Sequence, residues 1–177
     1  MWDKFGEFDS AKELNEKAVE LKENGKNYED LIALAEENGI DEDMMAMFID
    51  GDIDFLCDTQ TAAEGKLSVE LKNYQKQYVA NAMEVVDALT SMMVKERIKL
   101  SVHKHGVDID IDITGEELAK AVRKKGKSLN DICKKVFTKA GKIHAAGNPA
   151  SAMVVQMVIH EYLKEDKKKK KKKKEDK

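Results

Sequence analysis

Hydrophobic and polar positions alternate along this chain with the period of helices for most of its length, and with the period of a strand in one place. Ser10-Ala11-Lys12-Glu13 has the form of a capping box, in which Ser10 accepts from the Glu13 backbone N–H and the Glu13 carboxylate reaches back to the Ser10 N–H. Leu14, Ala18 and Leu21 follow at helical spacing, and Gly25 ends the element. A second helix is expected after Asn27, carrying Leu31, Leu34 and Ala35 to a left-handed turn at Asn38-Gly39. Asp41 caps a third helix with Met44, Met45 and Phe48, which stops at Gly51.

Residues 52–67 read as a connection. From Ser68 the helical pattern runs to about Arg97, a length that suggests a break near Asn81. Val107-Asp108-Ile109-Asp110-Ile111-Asp112-Ile113 then alternates apolar and acidic residues, as a half-buried strand does. Ile98, Leu100 and Val102 alternate too, so residues 98–103 can pair with it as a hairpin through Lys104-His105-Gly106. Thr114-Gly115-Glu116-Glu117 opens a helix ending near Gly126, and Ser128 caps another with Leu129, Ile132, Cys133, Val136 and Phe137 inward. Asn148-Pro149 starts the last helix, which carries Met153, Val154, Met157, Val158 and Tyr162.

The expected fold is mainly α with one small β element, a strand or a hairpin. Its divisions are an acidic three-helix unit over 1–51, the connection over 52–67, a helical body with the β element over 68–163, and a Lys-rich tail over 164–177 expected to be disordered. A single proline leaves helices uninterrupted, and a charged content of 37% implies a large wetted surface.

Charge sharpens this division. The first 60 residues hold 18 acidic side chains against 5 lysines, whereas residues 61–163 hold 16 basic and 12 acidic ones and the tail 10 and 4. The net charge of −3 therefore conceals opposite ends suited to different charged partners. Cys57 and Cys133 lie far apart without a CxxC spacing, which argues against a disulfide framework or zinc cluster and for a reducing cytoplasm. No signal peptide or membrane span is expected.

Residues 34–48 have the spacing of a helix-turn-helix, but the second helix carries Asp41, Glu42, Asp43 and Asp50 and no basic residue. Phosphates would repel it, which leaves a plain helical hairpin or an acidic surface for a basic protein partner. Lys120, Arg123, Lys124, Lys125, Lys127, Lys134, Lys135, Lys139 and Lys142 stand against one acid, Asp131, so this stretch is either a phosphate-binding surface or a solvated face balancing the acidic end. His103 and His105, near Asp108, Asp110 and Asp112, invite a metal reading, although a surface turn explains them more simply. No cofactor is expected. GxSxG, Walker, GxGxxG and HExxH motifs are all missing, and Cys133 sits at an apolar helical position, which makes a Cys133–His144 pair a poor nucleophile and base. Binding, not catalysis, is the expected mode of action.

The run Ala119-Lys120-Ala121-Val122-Arg123-Lys124-Lys125-Gly126-Lys127-Ser128-Leu129, together with residues 33–41 and Gly65-Lys66-Leu67-Ser68-Val69-Glu70, resembles small proteins of Firmicutes phages and conjugative elements. These form a PcfK-like group that includes type II-A anti-CRISPR proteins. The resemblance covers about residues 33–70 and 115–129. It implies a protein of the bacterial host cytoplasm that inhibits an RNA-guided type II CRISPR effector nuclease with its guide RNA, blocking target DNA binding or cleavage. On this view the acidic helix meets positive protein surface, the basic patch contacts guide RNA or DNA, and a homodimer is left open. The other expectation is a nucleic-acid-binding accessory protein of a phage or conjugative element, using the basic patch and tail alone.

Overall fold

A computed structural model describes residues 2–25, 28–76, 79–143 and 151–164. Among them the order is α1 (Ala11–Asn24), α2 (Glu29–Glu37), α3 (Glu42–Asp50), α4 (Thr59–Lys72), α5 (Val79–Met93), β1 (Ile98–Lys104), β2 (Val107–Ile113), α6 (Gly115–Arg123), α7 (Leu129–Ile143) and α8 (Ser151–Leu163). The fold is thus mainly α with one antiparallel hairpin.

Local chemistry sets most helix ends. Ser10 Oγ accepts from the Glu13 N–H at 3.2 Å, but the Glu13 carboxylate takes the Asp9 N–H, at 2.9 Å, instead of that of Ser10. Asp41, Asp58 and Thr114 cap α3, α4 and α6 by accepting from Asp43, Thr61 and Glu117. Gly51, at φ 84°, closes α3 in the left-handed region and lets the Asp52 N–H reach the Met47 carbonyl at 2.9 Å.

Two corrections concern the middle of the chain. Helix α4 begins at Thr59, inside the stretch read as a connection, because Asp58 supplies a cap that the weakly patterned residues after it do not advertise. The expected break near Asn81 lies earlier, where α4 ends at Lys72 and Asn73 Nδ2 turns back to the Val69 carbonyl at 2.8 Å. The start of the second helix at Asn27, His144, the Asn148-Pro149 helix start and the tail beyond residue 164 fall outside the described residues.

Hairpin β1–β2 has full register, from Ile98 opposite Ile113 to Lys104 opposite Val107, around a two-residue turn. Both turn residues, His105 and Gly106, have positive φ, as a tight turn matching the twist of its strands requires. Val107, Ile109 and Ile111 point inward, while Asp108, Asp110 and Asp112 face solvent. On that outer face Arg97 grips Asp112 bidentately at 2.8 and 2.9 Å, and Ser101 donates to Asp110 at 2.6 Å.

Two hydrophobic cores meet at α4. Leu14, Ala18, Leu31, Leu34, Phe48 and Leu56 build the first with Ala62 of α4. The second gathers α5, the hairpin, α6, α7 and α8 around Leu67, Leu89, Leu118, Leu129, Val158 and Tyr162, and it includes Ala63, the very next residue of α4. Burial on nearly every side of α4 follows from this position and leaves no single apolar stripe for sequence periodicity to reveal.

Candidate functional site: an acidic helix held on a buried charged seam

The α2–α3 turn sits directly on α4. A Cβ on Gly65 would meet the Asn38 carbonyl oxygen at 2.2 Å and one on Gly39 would meet the Gly65 carbonyl oxygen at 2.3 Å, so only glycines let these backbones approach. Gly39 also needs its positive φ of 65°. Beside this contact Arg123 of α6, with no exposed surface, donates from Nη2 to Asn38 Oδ1 at 2.8 Å. Asn38 in turn donates from Nδ2 to the Leu34 carbonyl at 2.8 Å.

Lys66 of α4, also fully buried, pairs with Glu7 at 2.7 Å and donates to the Lys124 carbonyl at 2.8 Å. Glu7 further accepts from the Gly126 N–H at 3.1 Å, and Asp9 from the Lys125 N–H at 3.0 Å. Trp2 lies against the Arg123 guanidinium, whose carbon is 5.5 Å from the ring centre. Residues 2–9 therefore act as a strap from α2 to the α6–α7 turn, its other end held where the Lys4 and Phe5 N–H groups donate to the Glu37 carboxylate.

Desolvation governs the protonation of this seam. It pushes the Glu70 carboxyl up to about 7, against the pull of Lys66 and the Leu129 backbone N–H. Lys66 is lowered by the same burial, with Glu7 as its main compensation. Arg123 Nε and Nη1, Glu70 Oε2 and the Tyr162 hydroxyl have no hydrogen-bond partner among the described residues.

On the outside of the unit, Asp41, Glu42, Asp43 and Asp50 are all exposed. None of the four forms an ion pair among the described residues, and Lys22, which approaches the end of α3, donates instead to the Phe48 carbonyl. The helix-turn-helix spacing thus produces a docked helical hairpin with an acidic outer face.

The basic stretch divides. Arg123 is removed from any surface patch, because α6 turns Leu118, Ala119, Val122 and Arg123 inward together. Lys124 and Lys127 are half-buried, and the Lys127 ammonium donates to the Glu161 and Lys164 carbonyls. Lys120 and Lys125 are exposed, with Lys120 paired to Glu116 at 3.4 Å. Along α7, Lys135, Lys139 and Lys142 form an exposed row beside Lys134, and in this group Lys135 alone has an ion pair among the described residues, to Glu161 at 2.8 Å.

His103 sits on the outer hairpin face between Asp108 and Asp110, and its donor atoms and theirs lie within 4.8 Å of one another. One ring nitrogen contacts Asp108 and the other contacts Asp110 at 3.0 Å, so the ring bridges two carboxylates. His105 occupies the turn and is not brought into this group. Hydrogen bonds to Asp110 and Asp108 raise the His103 pKa.

Burial pushes the Cys57 and Cys133 thiols up to about 12, far from a reactive thiolate. A groove of about 720 Å³ between α5, α7, α8 and β1 is lined by Val85, Met92, Leu100, Phe137 and Val155, with Glu84 its one charged lining residue among those described. No helix among the described residues is long and apolar enough to cross a membrane.

Sequence reading missed Lys66, Glu70 and Asn38 as buried groups and placed Arg123 outside. Ala63, Lys66, Leu67 and Glu70 share one helical face, as do Leu118, Ala119, Val122 and Arg123, but a charged side chain beside apolar ones ordinarily reaches water, so the pattern alone does not mark these as buried. Compared with known proteins, the chain matches no family model, no curated protein and no solved structure.

Proposed function

We propose that this protein acts by binding and inhibits the RNA-guided effector nuclease of a type II CRISPR system, blocking target DNA binding or cleavage. One observation carries the reading. The separate segments that resemble the anti-CRISPR group, residues 33–70 and 115–129, pack onto each other through the Asn38–Arg123 bond and the Lys66 donation to the Lys124 carbonyl. The unit they make presents Asp41, Glu42, Asp43 and Asp50 to solvent. Nucleases of this class hold nucleic acid in strongly positive channels, which an acidic helical face can occupy.

The test is cleavage of target DNA by guide-loaded effector with and without the protein. Inhibition that is lost when Asp41, Glu42, Asp43 and Asp50 are all changed to Lys is the expected result. Undiminished cleavage at excess wild-type protein would overturn the proposal.

The Lys134, Lys135, Lys139 and Lys142 row favours a second reading, an accessory protein that binds nucleic acid of a phage or conjugative element. Binding to duplex and single-stranded DNA across a salt series decides it. A steep salt slope that becomes shallower when these lysines are changed to Gln supports this reading, and weak binding with a flat slope excludes it.

A further inference from the structure

Helix α3 turns one stripe outward: Glu42, Asp43, Ala46, Met47 and Asp50 are all exposed. Two large apolar side chains accompany these acids. Met47, between Asp43 and Asp50 on that stripe, is 41% exposed, and Phe55, in the loop that Gly51 folds back after the helix, is 68% exposed. Asp52 and Asp54 in the same loop are exposed as well. The Asp52 N–H bond to the Met47 carbonyl keeps this loop at the end of the helix.

The fold had another place for such side chains, since Phe48, Leu56 and Cys57, their immediate neighbours, are buried in the first core. A methionine and a phenylalanine left in water among carboxylates that lack ion pairs among the described residues have the composition of an interface, with apolar anchors inside a charged rim. The sign of the rim selects the partner. Phosphodiesters and anionic headgroups would be repelled, whereas a protein surface with arginines or lysines around an apolar socket complements both features.

We infer that Met47 and Phe55 are the anchors of a docking surface on α3 and its following loop, whose occupant is an apolar socket rimmed by arginine or lysine on a partner protein. This rests on the proposal that the chain acts by binding a positively charged protein, and it adds the residues that confer affinity. The carboxylates steer the encounter and Phe55 and Met47 hold the complex.

Two binders test it: guide-loaded type II effector, and a helical peptide of alternating leucine and arginine faces. Phe55→Ser is expected to weaken binding to either by about tenfold or more, and Met47→Gln by somewhat less, through faster dissociation. Replacing Asp43, Asp50 and Asp54 by Asn should slow association and flatten its salt dependence. Because both anchors are exposed, the thermal midpoint of the variants should match that of the wild type, which separates lost docking from lost folding. Loss of effector binding in Phe55→Ser supports the inference whatever the peptide does. Effector inhibition that survives Phe55→Ser overturns the docking surface and leaves the nuclease reading standing. Peptide binding that depends on Phe55, without effector binding, does the reverse, and binding of neither removes both.

Discussion

Arg123 reaches Asn38 across 85 positions of sequence to make a 2.8 Å hydrogen bond in which neither residue is exposed. The bond joins the end of α2 to α6, and with it the unit that carries the acidic helix to the main core. Removing one partner of a buried polar pair leaves the other desolvated and unmet, which costs more than the bond itself contributes. Asn38→Ala should therefore lower unfolding free energy by about 2 kcal/mol. Arg123→Ala should cost more, about 3–5 kcal/mol, since it empties the volume of a fully buried side chain as well as leaving Asn38 Oδ1 unmet. Arg123→Met, which fills the volume without a charge, should recover part of that loss. Urea unfolding of the three variants and the Asn38→Ala/Arg123→Ala double variant gives the coupling, which should leave the double loss smaller than the sum.

The glycine contact supplies a second prediction with its own control. Gly65→Ala places a Cβ 2.2 Å from the Asn38 carbonyl oxygen, a backbone atom that cannot swing away. A backbone shift between α2 and α4 must follow, with a loss of about 3 kcal/mol or more. Gly141→Ala, in α7 with nothing within 4 Å of the added carbon, should instead leave stability unchanged or raise it by up to about 1 kcal/mol. Calorimetric midpoints that fall for the first and hold or rise for the second would bear out the close approach. Equal midpoints would refute it.

How far sequence went depends on which physical signal each element carries. Strand β2 was legible because strict alternation from Val107 to Ile113 has only one face to bury, whereas the alternation of Ile98, Leu100 and Val102 allowed a hairpin without requiring it. Helices α1, α3, α6 and α7 were legible from caps followed by one apolar stripe. Helix α4 was not, because a helix wedged between two cores buries several faces and so has no stripe. The exposed carboxylates of α3 could be named from sequence alone, whereas the seam behind them could not. Its members are a lysine, an arginine, a glutamate and an asparagine, whose burial depends on partners as distant as Glu7 and Arg123.

Glu70 gives a pH dependence whose sign follows from its burial. The neighbours that act on it come from every side: Lys66 on α4, Glu7 on the strap, Arg123 on α6 and the Leu129 N–H at the start of α7; Tyr162 on α8 feels its charge in turn. Its folded-state pKa of about 7 lies above the unfolded value of 4.5, so between those values the folded state holds the proton that the unfolded state has released. Stability is then greatest below the unfolded pKa and declines as pH rises towards 7, by a total of about 3 kcal/mol, after which this contribution is constant. Glu70→Gln keeps the neutral shape at all pH values. It should remove that decline and leave the variant more stable than the wild type at pH 8, as measured by urea unfolding from pH 4.5 to 8. A wild-type curve that is flat over this range would contradict the assignment.

His103 on the hairpin predicts a dependence that also falls with rising pH but reports on a different place. Asp110 and Asp108 favour the imidazolium, so its pKa is raised in the folded protein. A raised basic group contributes stability that is complete below its unfolded pKa and disappears as pH climbs through the folded one. Screening by water on this exposed face keeps the contribution small, and the informative readout is local. An NMR titration should place the His103 ring protons above the ordinary histidine midpoint, and Asp110→Asn should return them towards it. Amide exchange along β1 and β2 should quicken as His103 loses its proton, with no matching change in α3. If instead the His103 shifts titrate at the ordinary value and added zinc displaces them at micromolar concentration, the ring ligates a metal with these carboxylates and the bridged imidazolium is excluded.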